Sequence, residues 1–253
     1  MKGLRAATTF LTRLPVGAES AETSNIARSI PWFPVVGALL GATLAGVYVV
    51  VRLVLTPLLA ASVAVGAGVV ATGALHEDGL ADSADALGGR SREEALGILK
   101  DPAHGTYGVL AIALSLVLRV AALSTLGRWS AVAVLPATHA LSRGASIGLL
   151  RTLRPATEEG LGRAHAAAVS GAGVAVALSA AFLLGFASLG LWVIPAAALA
   201  TLGSLGISLI AMRTIGGLTG DVLGAAEQVT EILILLLAAA AVTQGWPSLA
   251  WWR

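Results

Sequence analysis

Seven stretches of roughly 20 predominantly apolar residues set the terms for this chain, because each is long enough to cross a bilayer core of about 30 Å as one helix. They run 31–51, 57–75, 105–126, 130–150, 166–187, 191–212 and 232–250. Hydrophobic residues make up 57% of the 253 and charged residues only 12%, against roughly 25% charge in soluble chains. So few charges cannot clothe a soluble surface, and the apolar exterior must face membrane lipid. The expected fold is all-α: a polytopic membrane helix bundle of about seven transmembrane helices, one domain over residues 1–253. Alanine and glycine pervade the spans, which suits close helix packing in lipid. No internal repeat rises above that background.

Several function classes drop out at once. The chain has no cysteine, which excludes disulfides, thiolate metal sites and cysteine nucleophiles. A net charge of +2 is too small for a nucleic-acid footprint. The start, residues 1–17, has basic residues but no long apolar core and no cleavage signal, so it reads as a mature N-terminus. Two readings of it stand side by side: an interfacial helix with Phe10, Leu11 and Leu14 against lipid, or a short soluble lead-in.

The connections alternate between two faces. The first face holds the N-terminus and residues 76–104, 151–165 and 213–231, with eleven of the 16 basic residues. The second holds only Arg52, Arg128 and Arg253. Positive charge marks the cytoplasmic side, so the N-terminus is expected inside the cell membrane and, with seven spans, the C-terminus outside. The 14 acidic residues follow the same partition more sharply, all lying on that first face or at its boundary. Insertion does not demand this, since Asp and Glu contribute little to topology. The greater length of the first-face loops accounts for part of the skew, and use of the acids for the rest.

The densest polar stretch follows the second span: His76-Glu77-Asp78-Gly79-Leu80-Ala81-Asp82-Ser83-Ala84-Asp85. Asp78, Asp82 and Asp85 stand at i, i+4 and i+7, which on a helix puts them within about 60° of one another along roughly 10 Å. Adjacent carboxylates on one stripe repel by a few tenths of a kcal/mol per pair. A bound cation offsets that repulsion, and Mg²⁺ is commonly held by one or two carboxylates plus substrate phosphates. The alternative is a solvated acidic turn. His76 reads as a ligand, a general base or an interfacial histidine.

Other features face the same compartment. Lys100-Asp101 precedes Gly105-Thr106-Tyr107-Gly108; the lysine suits either a phosphate or positive-inside anchoring. Arg143 lies about two turns inside the fourth span with His139 one turn deeper, and ionisable groups at such depth suggest function. Arg119, toward the outer end of its span, is expected to snorkel outward. Gly216-Gly217-Leu218-Thr219-Gly220-Asp221 leads into a span with Glu227 and Glu231 at i, i+4. Glycines allow close backbone approach to a ligand, and helix-start amides favour phosphate, which makes this segment a candidate second wall.

With these residues assembled, the sequence resembles the cobalamin synthase family, the adenosylcobinamide-GDP ribazoletransferases. The resemblance runs through nearly the whole chain: Phe10-Leu11-Thr12-Arg13-Leu14-Pro15, Trp32-Phe33-Pro34-Val35-Val36-Gly37, His76-x-Asp78-Gly79-Leu80-Ala81-Asp82-Ser83-Ala84-Asp85, Leu99-Lys100-Asp101, Gly105-Thr106-Tyr107-Gly108, Ser142-Arg143 and Gly217-x-Thr219-Gly220-Asp221-x-Leu223-Gly224-Ala225. Ala86 departs from a common glycine, Leu99 from a usual methionine, and Ala103-His104 from a basic-isoleucine pair. None of these removes a carboxylate.

The resemblance implies a Mg²⁺-dependent transferase of late cobalamin biosynthesis. Its substrates would be adenosylcobinamide-GDP and α-ribazole or its 5′-phosphate. The ribazole hydroxyl would attack the cobinamide-side phosphorus, GMP would leave, and adenosylcobalamin or its phosphate would result. Asp78, Asp82, Asp85 and Asp221 are the expected metal ligands. His76 or one of the aspartates would take the hydroxyl proton, and Lys100 and Arg143 would offset phosphate charge. Gly217, Thr219, Gly220 and Glu231 are expected to hold substrate. Homo-oligomer formation is left open.

Two rivals compete. A CDP-alcohol phosphotransferase also uses an intramembrane cluster beginning Asp-Gly, but its pattern has arginine where Asp82 stands and a longer gap before the last aspartates. A proton-coupled secondary transporter would place such groups near the bilayer midplane on broken helices, whereas here the acids sit at a membrane boundary.

Overall fold

A computed structural model describes residues 2–16, 28–157 and 169–252. Glu19, Glu22, Glu158 and Glu159 of the acidic tally lie outside the described residues. Those described form ten α-helices: α1 (Lys2–Leu11), α2 (Phe33–Val51), α3 (Pro57–Thr72), α4 (Leu75–Asp85), α5 (Arg92–Ile98), α6 (Thr106–Ser124), α7 (Arg128–Thr152), α8 (Gly171–Leu189), α9 (Val193–Thr214) and α10 (Gly220–Thr243). Their only bridge of β type joins Pro155 to Leu218. The all-α expectation holds.

Local signals explain most boundaries. Thr56 caps α3 by accepting from the Leu59 amide, with Pro57 in the first turn. Ser170 caps α8 through the Gly173 amide, and Thr219 caps α10 through Val222. Each cap satisfies an amide that the helix itself leaves without a partner.

The exact count of seven spans is not confirmed. By length and apolar composition four segments qualify, Ile30–Val51, Thr106–Ser124, Gly171–Thr214 and Gly220–Thr243, and a fifth if α3 and α4 form one broken span. Three physical reasons account for the difference. First, the stretch read as a span over 57–75 ends early: Gly73 (φ 65°) and Ala74 (φ 58°) are both left-handed, and the segment from Leu75 leaves at 88° to α3. Second, α7 is long enough to cross but carries His139, Ser142, Arg143 and Ser146 inward, which lowers its apolarity. Third, Gly171–Thr214 is one apolar run that contains two helices. The chain reverses at Gly190 (φ 57°), since a Cβ on Gly185 would lie 2.8 Å from Val193, far closer than eight residues of straight helix allow. The last helix also starts at Gly220, well before the expected 232, so Asp221, Glu227 and Glu231 all lie on it.

Small residues let the bundle close. A Cβ on Gly37 or Gly41 would come within 2.3 Å of the carbonyls of His139 and Leu135, so α2 and α7 meet backbone to backbone. At one end, the Tyr48 hydroxyl donates to the Leu126 carbonyl at 2.8 Å, and Trp192 stacks on Trp246 at 5.9 Å. At the other end, Arg92 ties loops together. Its Nε donates to the Ile215 carbonyl at 2.9 Å and its Nη2 to the Ala156 carbonyl at 2.7 Å. Exposed apolar side chains such as Val54, Val70 and Leu191 sit on the periphery, as a lipid-facing surface requires.

Helix α1 is amphipathic and docks on the bundle. Ala7 and Leu11 are buried, while Leu14 is exposed. The Arg13 amide donates to the Ala71 carbonyl at 2.8 Å, which fixes the end of α1 beside α3. The soluble lead-in reading is therefore replaced by a docked helix, and Leu11 faces protein rather than lipid.

Candidate active site

Two helices far apart in sequence bring the aspartates together. Gly79 on α4 and Gly224 on α10 allow the crossing: a Cβ on Gly224 would lie 3.4 Å from the Gly79 Cα, and one on Gly79 would lie 2.8 Å from the Asp221 carbonyl. A larger side chain at position 79 would push Asp221 away. Through this contact Asp82 comes within electrostatic reach of Asp78, Asp221 and Asp85. Asp78 is exposed and Asp82 largely covered. His104 sits over both, with Nε2 3.6 Å from Asp78 Oδ1 and Nδ1 3.3 Å from Asp82 Oδ1.

Asp85 faces a different task. Its Oδ2 accepts the Gly105 amide at 2.7 Å and its Oδ1 accepts the Gly108 amide at 2.8 Å. It thus caps α6 and locks Gly105-Thr106-Tyr107-Gly108 against α4. A carboxylate accepting two backbone amides at a helix N-terminus is well satisfied.

A cleft of about 130 Å³ opens beside the cluster, lined on one side by His76, Asp78, Gly220, Asp221 and Glu227, and on the other by Phe10, Leu11, Phe33, Ile147 and Leu150. His76 forms part of its floor. Its Nε2 lies 2.8 Å from Glu227 Oε2, and Glu227 Oε1 accepts from the Ser146 hydroxyl at 3.1 Å.

Behind the cleft the bundle interior holds a continuous ionic network. Arg143 Nη1 donates to Glu231 Oε1 at 2.6 Å, and Arg143 Nε lies 3.4 Å from Glu227 Oε2. His139 Nδ1 lies 2.8 Å from Glu231 Oε1. Arg119 Nη2 donates to Glu77 Oε1 at 2.9 Å, and its Nη1 lies 3.6 Å from Glu231 Oε2. Gln228 Nε2 donates to the same Glu77 oxygen at 3.3 Å, while its Oε1 accepts from Ser115. All of these charged side chains are buried, so each must find its partner inside the protein. A second cavity of about 30 Å³ lies among them, bordered by His76, Glu77, Arg119, His139, Arg143 and Glu231, room for a water molecule.

The residues singled out from sequence divide accordingly. Asp78, Asp82, Asp221, His76 and Gly220 meet at or beside the cleft. Arg143 and Glu231 pair with each other in the interior instead, with Arg143 1% exposed. Lys100 is exposed beyond the end of α5. Thr219 caps α10, and Gly217 seats the 154–156 strand-like segment, where a Cβ would strike the Arg154 carbonyl. The expectation that Arg119 snorkels outward is corrected: it is 6% exposed and turns inward, because the bend at Gly73–Ala74 brings Glu77 into the bundle to meet it. Sequence reasoning gave no site role to Glu77, Glu227, Gln228, Ser146 or Phe33. The i, i+4 pairs His139/Arg143 and Glu227/Glu231, of opposite charge on two spans, were the available signal.

Among the described residues no group of three His, Asp or Glu is arranged to hold a metal ion by itself. Mg²⁺ does not require one, since it usually takes one or two carboxylates and completes its shell with water and phosphate. The oxygen-only donors Asp78, Asp82 and Asp221, crowded together with the His104 ring over the first two, fit that demand.

Comparison with known proteins then places the chain in context. The family model described as Cobalamin-5-phosphate synthase matches residues 3–239. A protein of Bradyrhizobium diazoefficiens named adenosylcobinamide-GDP ribazoletransferase is 44% identical over 246 residues, covering 94% of this chain and 93% of the relative. Proteins of the same name from Rhizobium etli (strain CIAT 652) and Chlorobium phaeovibrioides are 40% and 37% identical over 250 and 257 residues. The first alignment covers 93% of this chain and 95% of the relative, the second 96% and 99%. No solved structure matches.

Proposed function

The chain belongs to the cobalamin-5-phosphate synthase family, and from that premise we propose that it joins adenosylcobinamide-GDP to α-ribazole or its 5′-phosphate with release of GMP, a late step of cobalamin biosynthesis. The observation that carries this reading is the convergence of Asp78, Asp82 and Asp221 beside a cleft, made possible by the Gly79–Gly224 contact. These three aspartates would hold Mg²⁺, which when bound neutralises charge on the diphosphate and on departing GMP.

The chain's own groups account for the remaining needs. The acceptor's hydroxyl oxygen attacks the cobinamide-side phosphorus, and the phosphorus–oxygen bond to GMP breaks with its electron pair going to GMP. The hydroxyl proton goes to His76, which borders the cleft and is oriented by Glu227 at 2.8 Å. Asp85 shapes the site by holding the start of α6 to α4. Arg143 and Arg119 fix the helices that carry His76, Glu77 and Glu227. The cleft opens at the end of the bundle rich in arginine and lysine, which supports a cytoplasmic active site.

The test uses purified protein in nanodiscs with adenosylcobinamide-GDP, α-ribazole and Mg²⁺. GMP release that EDTA abolishes supports the reading. Wild-type protein that releases no GMP, or releases it equally with excess EDTA, overturns the transfer or its metal dependence respectively.

A further inference from the structure

We propose that the stacked pair Phe10 and Phe33 is the wall that recognises the heterocyclic base of the attacking nucleoside, which makes the N-terminal helix α1 part of the substrate site. This rests on the transferase reading given above and extends it to a residue pair that the reaction chemistry does not touch.

The two rings lie 5.5 Å apart at 21° and line the same cleft as His76, Asp78, Asp221 and Glu227. Their burial is unequal: Phe33 is 6% exposed, and Phe10 is 38% exposed. One ring is therefore anchored in the bundle, and the other extends the stack toward the cleft mouth. Phe10 is held in place without help from a ligand. Ala7 and Leu11, on the adjoining face of α1, are buried at 0% and 1%. The end of the helix is tied down as well, since the Arg13 amide donates to the Ala71 carbonyl at 2.8 Å. Such preorganised aromatic surface stacks a planar base with little loss of freedom.

The cleft's polarity selects between the two nucleosides of the reaction. Its apolar lining, Phe10, Leu11, Phe33, Ile147 and Leu150, carries no side-chain hydrogen-bond acceptor, and the one hydroxyl beside it, that of Ser146, is turned to Glu227 and the Arg143 carbonyl. Guanine would place its N–H donors there unpaired, a costly outcome. The dimethylbenzimidazole of α-ribazole has no N–H donor and loses nothing. The opposite side carries the carboxylates, where the ribose hydroxyl has to reach the phosphorus. A base on the aromatic wall with its sugar toward Asp78 and Asp221 satisfies both sides at once.

The test measures KM for each substrate separately, by GMP release in nanodiscs, for wild type, Phe10→Leu and Phe10→Tyr. Phe10→Leu keeps apolar bulk, so α1 stays docked while the aromatic face is lost. Expected is a roughly tenfold rise in KM for α-ribazole with Leu, less than about twofold with Tyr, and an unchanged KM for adenosylcobinamide-GDP. An unchanged α-ribazole KM in Phe10→Leu overturns the proposal. So does a rise confined to adenosylcobinamide-GDP, which would assign the wall to guanine. Absence of wild-type turnover would instead remove the transferase reading. Equilibrium dialysis of labelled α-ribazole then decides the wall by itself: binding weakened roughly tenfold in Phe10→Leu supports it, and equal or absent binding overturns it.

Discussion

Arg143 and Glu231 are joined at 2.6 Å in the middle of the bundle, α7 to α10, with less than 4% of either residue exposed. An arginine read from sequence as a phosphate contact is thereby spent on a carboxylate. Its work is to hold α10, and with it Asp221, in place. Removing one partner leaves the other charged and buried, which costs about 3–5 kcal/mol. Arg143→Leu should therefore lower thermal stability in detergent sharply, and the double change Arg143→Leu with Glu231→Leu should recover much of the loss. A single variant with wild-type melting temperature would contradict this.

Asp82→Asn should separate stability from activity. It removes repulsion from Asp78 and Asp221, worth a few tenths of a kcal/mol per pair, so metal-free protein should melt at the same temperature or slightly higher. Mg²⁺-dependent GMP release should vanish, and Mg²⁺ should no longer raise the melting temperature. Full activity in Asp82→Asn would remove the aspartate cluster from the chemistry.

Asp85→Ala should behave in the opposite way. It strips two amides of their acceptor, at about 1–3 kcal/mol for each buried group left unpaired, and frees the start of α6. Lower stability, with faster hydrogen exchange at Gly105 and Gly108, is the expected outcome. If Asp85→Ala instead abolished Mg²⁺ binding with unchanged exchange at those amides, its role would be ligation rather than capping.

The absence of cysteine makes topology simple to measure. Val54→Cys, at the Tyr48–Leu126 end, and Glu93→Cys, at the Arg92 end, are both at exposed positions. A membrane-impermeant maleimide added to whole cells should label Val54→Cys, and should reach Glu93→Cys only after permeabilisation. The reverse pattern would put the cleft outside.

Much of this architecture can be read in the one-dimensional pattern. Apolar stretches announced the helices, and the spacing of Asp78, Asp82 and Asp85 announced a charged stripe. What periodicity could not disclose is which stripe meets which. Asp82 and Asp85 look alike in the motif, yet one faces other carboxylates and the other caps α6, a distinction made by where Gly105 arrives. Glu77 and Arg119 look like a loop acid and a snorkelling base until the two left-handed residues at Gly73 and Ala74 fold one toward the other. Length and hydropathy leave the span count at four or five for the same reason, since hydropathy records how apolar a helix is and not whether its polar side has a partner within.

The crossing of Gly79 over Gly224 also has a temporal side. Glu77 and Gln228, which bond beside that crossing, are 151 residues apart. At translation speeds of roughly 5–20 residues per second, α4 waits about eight to thirty seconds in the membrane before α10 emerges. During that interval Asp78 and Asp82 have no Asp221, and Glu77 lacks Gln228. Until its last helix inserts, a nascent chain thus lacks the crossing that brings Asp221 to Gly79, and a product truncated before Gly220 would carry the His76–Asp85 motif without the second wall of the cleft.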